Sequence, residues 1–64
     1  MKIEIGKAYD LGPSRLPVRV IGMKEVTPNY TKVTVRNLAG KRVGLTRTES
    51  LAYLETVAVN ELKN

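Results

Sequence analysis

The segment from Thr31 to Leu38 constrains the fold more than any other part of the chain. Residues 32–36 alternate between polar and apolar side chains, which is the pattern of a strand with one face in the core and the other in solvent. Val33 and Val35 are therefore predicted to be buried, and the polar residues that alternate with them should share the opposite face. This pattern favours an antiparallel β-sheet with one solvated face.

Turn signals divide the rest of the chain into further short strands. Gly and Pro permit or fix the backbone angles of turns, and at least one of them stands in each of three tetrapeptides: Gly12-Pro13-Ser14-Arg15, Thr27-Pro28-Asn29-Tyr30 and Asn37-Leu38-Ala39-Gly40. A first strand over residues 2–11 should bend or bulge near Gly6, and a second strand after residue 15 should bend at Gly22.

The third turn is predicted to close a hairpin. Residues 41–47 should return beside the strand that ends at Leu38, with Val43 and Leu45 facing the core. Arg42 would then lie on the solvated face of the hairpin, beside Lys32 and Arg36.

A helix is predicted near the C-terminal end of the chain. Thr46-Arg47-Thr48-Glu49 has the residues of a capping box, in which a Thr hydroxyl and a Glu carboxylate accept from free N–H groups at a helix start. Leu51 and Leu54 follow on one helical face. Two interpretations remain for residues 56–62: the preferred one is a final strand, and the alternative is a continuation of the helix.

The chain has 64 residues and neither Cys nor His, so disulfides, thiolate or imidazole metal sites and Cys/His or Ser/His nucleophile pairs are excluded. Its six acidic residues are scattered along the sequence. No Gly-rich phosphate loop precedes a helix. We therefore expect no enzymatic activity, no catalytic or metal-binding residue and no cofactor.

Basic residues dominate the middle of the chain, and the formal net charge is +5. Between Val26 and Arg47 there are five basic residues and no acid. Because Arg and Lys on a sheet supply phosphate contacts and aromatic side chains can stack on bases, the leading hypothesis is a non-enzymatic module that binds DNA or RNA. The predicted binding residues are Lys32, Arg36, Lys41, Arg42, Arg47, Tyr30 and Arg19.

The alternative hypothesis is a small protein-binding or regulatory module, such as a phage or mobile-element accessory protein that modulates a host factor. Its partner would be an acidic protein, and unpaired sheet edges would also allow a homo-oligomer. No apolar run approaches the length of a membrane span, so a cytoplasmic location without membrane contact is expected.

The predicted order of elements resembles that of a small Src-homology-like β-barrel. The resemblance covers nearly the whole chain at the level of architecture and implies a mainly β fold with five antiparallel strands and a short helix near the C-terminus. The length of the chain and the lack of an internal repeat or linker predict one domain over residues 1–64. Val18-Arg19-Val20-Ile21-Gly22 is similar to the strand-to-glycine segment of nucleic-acid-binding barrels of the KOW type.

With one longer C-terminal helix, the layout is instead similar to the small basic chromatin proteins of thermophilic archaea. Both groups include nucleic-acid binders, and both folds also serve protein recognition. The resemblance therefore leaves the nucleic-acid and protein-binding hypotheses both open.

Overall fold

Five antiparallel strands and one short helix make up the fold over residues 1–63, the part of the chain that the computed structural model describes. The elements are β1 (Ala8–Asp10), β2 (Val18–Thr27), β3 (Tyr30–Asn37), β4 (Thr46–Ser50), α1 (Leu51–Val57) and β5 (Asn60–Leu62). Their order in the single sheet is β4-β3-β2-β1-β5. The predicted mainly β class is confirmed, and so is the preferred short helix followed by a last strand.

The sheet is not closed into the predicted barrel. The edge strands are β4 and β5, and within residues 1–63 no ladder joins one to the other. The Src-homology-like resemblance is therefore limited to a small five-stranded antiparallel sheet with a short helix. Within residues 1–63, neither edge strand has a second neighbour in the sheet.

One face of the sheet and the helix enclose the core. Valines of β2 and β3 pack there with residues of the N-terminal segment, and α1 contributes Leu54 from above. The core residues are Ile3, Tyr9, Leu11, Val18, Val20, Val33, Val35 and Leu54. The Tyr9 hydroxyl accepts from the Glu4 N–H (2.8 Å) and donates to the Lys2 carbonyl (3.3 Å), so the largest core side chain also fixes the N-terminal segment.

The predicted bend in β2 is present. The register with β3 shifts between Val20 and Gly22, which leaves Ile21 as the extra residue of a bulge. The predicted turn between β2 and β3 is also confirmed, because Thr27 pairs with Tyr30 around Pro28 and Asn29.

The prediction that residues 41–47 form a strand is wrong for residues 41–45. The Leu45 N–H bonds to the Arg42 carbonyl (3.1 Å) and Gly44 has φ +83°, as in a type II turn with glycine in its third position. Gly44 and Leu45 together oppose Asn37, so the turn ends in a G1 bulge. The turn and bulge leave Val43 59% and Leu45 58% exposed instead of buried.

The same turn occurs a second time, at residues 4–7. The Lys7 N–H bonds to the Glu4 carbonyl, Gly6 has φ +90°, and Gly6 and Lys7 together oppose Val20. The predicted bulge near Gly6 is therefore confirmed. Ile5 occupies the same position in this turn as Val43 does in the other, and it is likewise exposed.

The predicted capping box is wrong, because its four residues lie within β4. They pair with residues 33–36 of β3, so their backbone is extended where a helix start is expected. Ser50 is the N-cap instead, and its hydroxyl accepts from the Tyr53 N–H at 3.1 Å. Pairing with β3 thus takes precedence over a local capping signal.

Candidate nucleic-acid interface

The face of the sheet opposite the core, which we call the outer face, carries a set of basic residues on β2 and β3. Arg19 stands directly opposite Arg36, and Lys24 stands opposite Lys32. Between these two rows lies the pair of Gly22 and Thr34. On β4, the residues in register with the three rows are Thr46, Thr48 and Ser50. In these three rows, the four basic residues lie on β2 and β3, and the other positions hold glycine, threonine or serine.

Like charges that stand directly opposite each other on neighbouring strands destabilise a sheet. The outer face has two such rows, Arg19 with Arg36 and Lys24 with Lys32. Packing does not require these residues, because the core lies on the other face. A costly arrangement that contributes nothing to packing is typical of a binding surface.

Acidic side chains of these three strands lie on the other face. Glu25 pairs with Thr31 and Glu49 pairs with Val33, and both β3 partners alternate with the outer-face residues. No carboxylate of β2, β3 or β4 therefore lies beside the outer-face bases. The outer face of β2, β3 and β4 therefore has no acidic side chain, as the sequence from residue 26 to residue 47 has none.

Tyr30 lies at one end of the outer face. By alternation it shares this face with Lys32, Thr34 and Arg36, and it is 41% exposed. Alternate residues of a strand are about 7 Å apart, so an aromatic ring, a lysine and an arginine follow one another along β3 with one threonine between the two bases.

Arg19 is oriented by the turn at residues 4–7. Its Nη1 donates to the Gly6 carbonyl at 2.8 Å, and Gly6 is the left-handed residue of that turn. The bulge in the N-terminal segment therefore helps to position a predicted binding residue. In the same turn, Lys7 forms ion pairs with Glu4 (3.2 Å) and Glu61 (3.5 Å). Hydrogen bonding to Glu4 and attraction to Glu4 and Glu61 raise the pKa of Lys7 above its usual value.

Arg47 does not share the outer face. It pairs with Val35, a core residue of β3. Its Nε donates to Glu49 Oε2 at 2.8 Å and its Nη1 donates to Asn37 Oδ1 at 2.8 Å. The structure thus gives this predicted binding residue two side-chain partners, Glu49 on β4 and Asn37 on β3, away from the outer face.

Lys41 and Arg42 lie in the loop between β3 and β4. Both are exposed, and the Arg42 carbonyl accepts from Asn37 Nδ2 at 3.2 Å. The prediction that Arg42 stands beside Lys32 and Arg36 on a strand is wrong, since no strand reaches it. Of the seven predicted residues, the structure brings together on the outer face Arg19, Tyr30, Lys32 and Arg36.

Lys24 is an outer-face base that the sequence prediction omits. Its neighbour Glu25 places it outside the acid-free run, although the two side chains point to opposite faces of β2. The signal that identifies it is the register of the hairpin, in which Lys24 falls opposite Lys32.

Other kinds of site are not found in residues 1–63. This part of the chain has no pocket and no group of His, Cys, Asp or Glu that could hold a metal ion. None of its helices has the length and apolar character needed to cross a membrane. Comparison with known proteins found no matching family model, no similar curated protein and no similar solved structure.

Proposed function

We propose that this protein is a non-enzymatic nucleic-acid-binding module whose contact surface is the outer face of β2, β3 and β4. The observation that carries the proposal is the pair of like-charged rows formed by Arg19, Lys24, Lys32 and Arg36, where no carboxylate of β2, β3 or β4 shares the face. A polyanion bound to this face offsets the repulsion between the like charges of each row. Binding of a nucleic acid therefore gives a reason for these like charges to stand opposite each other.

The four bases act as phosphate contacts. Guanidinium groups donate in a planar fork and ammonium groups act as point charges, and both kinds of group bind phosphate oxygens. The hydroxyls of Thr34, Thr46 and Thr48 add neutral donors beside them. Because phosphates carry no sequence information, binding through this face is largely independent of sequence.

Tyr30 supplies the aromatic surface on which one base stacks. Tyr30 lies on β3 beyond the basic residues Lys32 and Arg36. A nucleic-acid strand on this face can therefore make phosphate contacts with the basic residues and a stacking contact with Tyr30. With a single tyrosine on the face, stacking contributes about 1–3 kcal/mol and the charges supply most of the affinity.

The test is a titration of fluorescent duplex and single-stranded oligonucleotides at two salt concentrations. Four phosphate contacts give a log–log salt slope of about −3 to −4. The double variant Lys32→Glu/Arg36→Glu should bind more weakly at every salt concentration and lower the magnitude of the slope by about 2.

The matched control is Lys2→Glu/Lys63→Glu, which changes the net charge equally at two exposed residues that lie outside the five strands. This control should retain the slope of the wild type. Absence of binding at low salt, or equal loss in the two double variants, would contradict the proposal.

An acidic protein is the second candidate partner, because the same rows of bases attract carboxylates. A nucleic acid has phosphates at a regular spacing and bases that stack, whereas an acidic peptide has no base for Tyr30. Replacing Tyr30 by Ala should therefore weaken binding to a single-stranded oligonucleotide but leave binding to polyglutamate unchanged. Equal effects on the two ligands would favour the protein-binding alternative.

A further inference from the structure

The free edge of β4 has a sequence that is complementary to itself. Its five residues read Thr46-Arg47-Thr48-Glu49-Ser50. When two such strands are placed antiparallel about Thr48, each Arg47 faces Glu49 of the other copy and each Thr46 faces Ser50. We propose that β4 is a homodimer interface, through which two copies of the chain join their sheets edge to edge.

The backbone groups of β4 point in the direction that this pairing needs. Asn37 exchanges hydrogen bonds with Gly44 and Leu45, while the Leu38 N–H bonds to the Pro17 carbonyl beside β2. Odd-numbered residues of β3 therefore bond to β4, and their partners Arg47 and Glu49 are the β4 residues that bond back. By the same alternation, the N–H and C=O groups of Thr46 and Thr48 point to the open edge.

This direction fits the register about Thr48. Thr48 would exchange both of its backbone hydrogen bonds with Thr48 of the second copy. At each end, the Thr46 carbonyl would accept from the Ser50 N–H of the second copy, while the Ser50 carbonyl, at the N-cap of α1, bonds within the helix. Arg47 and Glu49 would then fall in the pairs without hydrogen bonds, where the side chains of opposing residues are closest. Opposite charges and hydroxyl pairs are both favourable across antiparallel strands.

The ion pair within one copy is compatible with the interface. The Arg47 guanidinium uses Nε for Glu49 and Nη1 for Asn37, so it keeps further N–H donors. The side chains of Arg47 and Glu49 are 40% and 28% exposed. Across the interface, two arginines and two glutamates form one network with alternating charges.

The pairing also closes as a dimer. A two-fold axis through Thr48 uses the same strand of both copies, so the contact is isologous and leaves no second β4 edge. Pairing of β4 with the β5 edge of another copy would instead be open-ended. Natural sheets often protect an edge with charged side chains, especially lysine. The two charged residues of β4 have opposite signs, at positions that complement a second copy.

Two charge reversals test the register. Arg47→Glu sets two carboxylates against each other across the interface, and Glu49→Lys sets two cations against each other, so each variant should raise the dimer dissociation constant by at least about tenfold. Mixed in equal amounts, the two variants should form a heterodimer, because both cross-strand pairs become attractive. Sedimentation velocity over a range of concentrations, without nucleic acid, measures association of each variant and of the mixture. Circular dichroism checks that both variants are folded.

Two further variants complete the test. Thr48→Pro removes an N–H that points away from β3, so the variant keeps its own sheet and loses the dimer. Glu25→Lys makes the same charge change as Glu49→Lys two strands away and should dimerise like the wild type. A wild type that stays monomeric at every concentration, a mixture that does not associate, or a Thr48→Pro variant that still dimerises would overturn the proposal. None of these results depends on whether the outer face binds nucleic acid.

Discussion

The two faces of β3 differ in how far their side chains are buried and in the residues that stand opposite them. On the inner face, Val33 and Val35 are fully buried, and Asn37, the buried polar residue of the described chain, has a partner for its side-chain oxygen and for its amide nitrogen. On the outer face, Lys32 and Arg36 each stand opposite a residue of the same charge. We therefore expect the free energy of unfolding to depend mainly on the inner face, while the like-charged pairs of the outer face lower it slightly.

The largest expected effect is the loss of a core side chain from the inner face. Leu54 is 1% exposed and packs from α1 onto the sheet, so Leu54→Ala should lower the free energy of unfolding by about 3 kcal/mol. The outer-face control Thr34→Ala should change it by less than about 0.5 kcal/mol. Urea unfolding followed by circular dichroism measures both, and equal losses would break the contrast between the faces.

Asn37 tests whether the inner face also depends on a polar group. Its side chain accepts from Arg47 and donates to the Arg42 carbonyl, so Asn37→Ala should cost about 2 kcal/mol because it removes both bonds at a buried position. Its neighbour on the outer face provides the control, since Arg36→Ala removes a like-charge pair and should cost little. A cost below that of Arg36→Ala would show that the loop between β3 and β4 does not need Asn37.

Glycines at the bulges give a smaller effect. Gly44 has φ +83°, and a Cβ added there would meet only open space, so Gly44→Ala should cost about 1 kcal/mol from backbone conformation alone. Gly22→Ala adds a Cβ at ordinary contact distance from Thr34 and should be neutral. Thermal unfolding of the two variants compares them, and an equal loss at Gly22 would show that the bend in β2 also needs a glycine.

The smallest expected change in stability has the opposite sign. Lys24→Glu converts the Lys24 and Lys32 row into a pair of opposite charges, so it should raise the free energy of unfolding by about 0.5 kcal/mol at low salt. The same variant should weaken nucleic-acid binding. Chemical unfolding and oligonucleotide titration check the two outcomes, and a variant that is less stable would contradict the account of the outer face.

The parts of the fold that follow from alternation can be predicted from the sequence. The two faces of β3 and the turn at Pro28 and Asn29 depend on residues that are close in the chain. The turn at residues 41–45 could not be predicted in this way, because Val43 and Leu45 keep the alternation of a strand although Gly44 turns the backbone. A left-handed glycine and a strand glycine look alike in one sequence, and only the pairing with Asn37 separates them.

The candidate site divides in the same way. Lys32 and Arg36 can be placed on the solvated face from the sequence, since a single strand determines their direction. Lys24 and Arg47 cannot be assigned to their faces in this way, because each depends on a register between strands that the chain alone does not specify. Arg47 has the same charge as Arg36, yet its position opposite Val35 gives it a structural partner in Asn37.

The pairing of β1 with β5 has a consequence for the order in which the sheet forms and opens. Strands β2, β3 and β4 pair with their neighbours along the chain, whereas Ala8 pairs with Leu62 from the far end of the described sequence. Bringing these distant segments together costs loop-closure entropy, and the three-residue ladder provides few hydrogen bonds to compensate for that cost. We expect β5 to be the last strand to join and the first to leave, so that amide protons of the β2–β3 hairpin outlast those of residues 60–62 in hydrogen exchange.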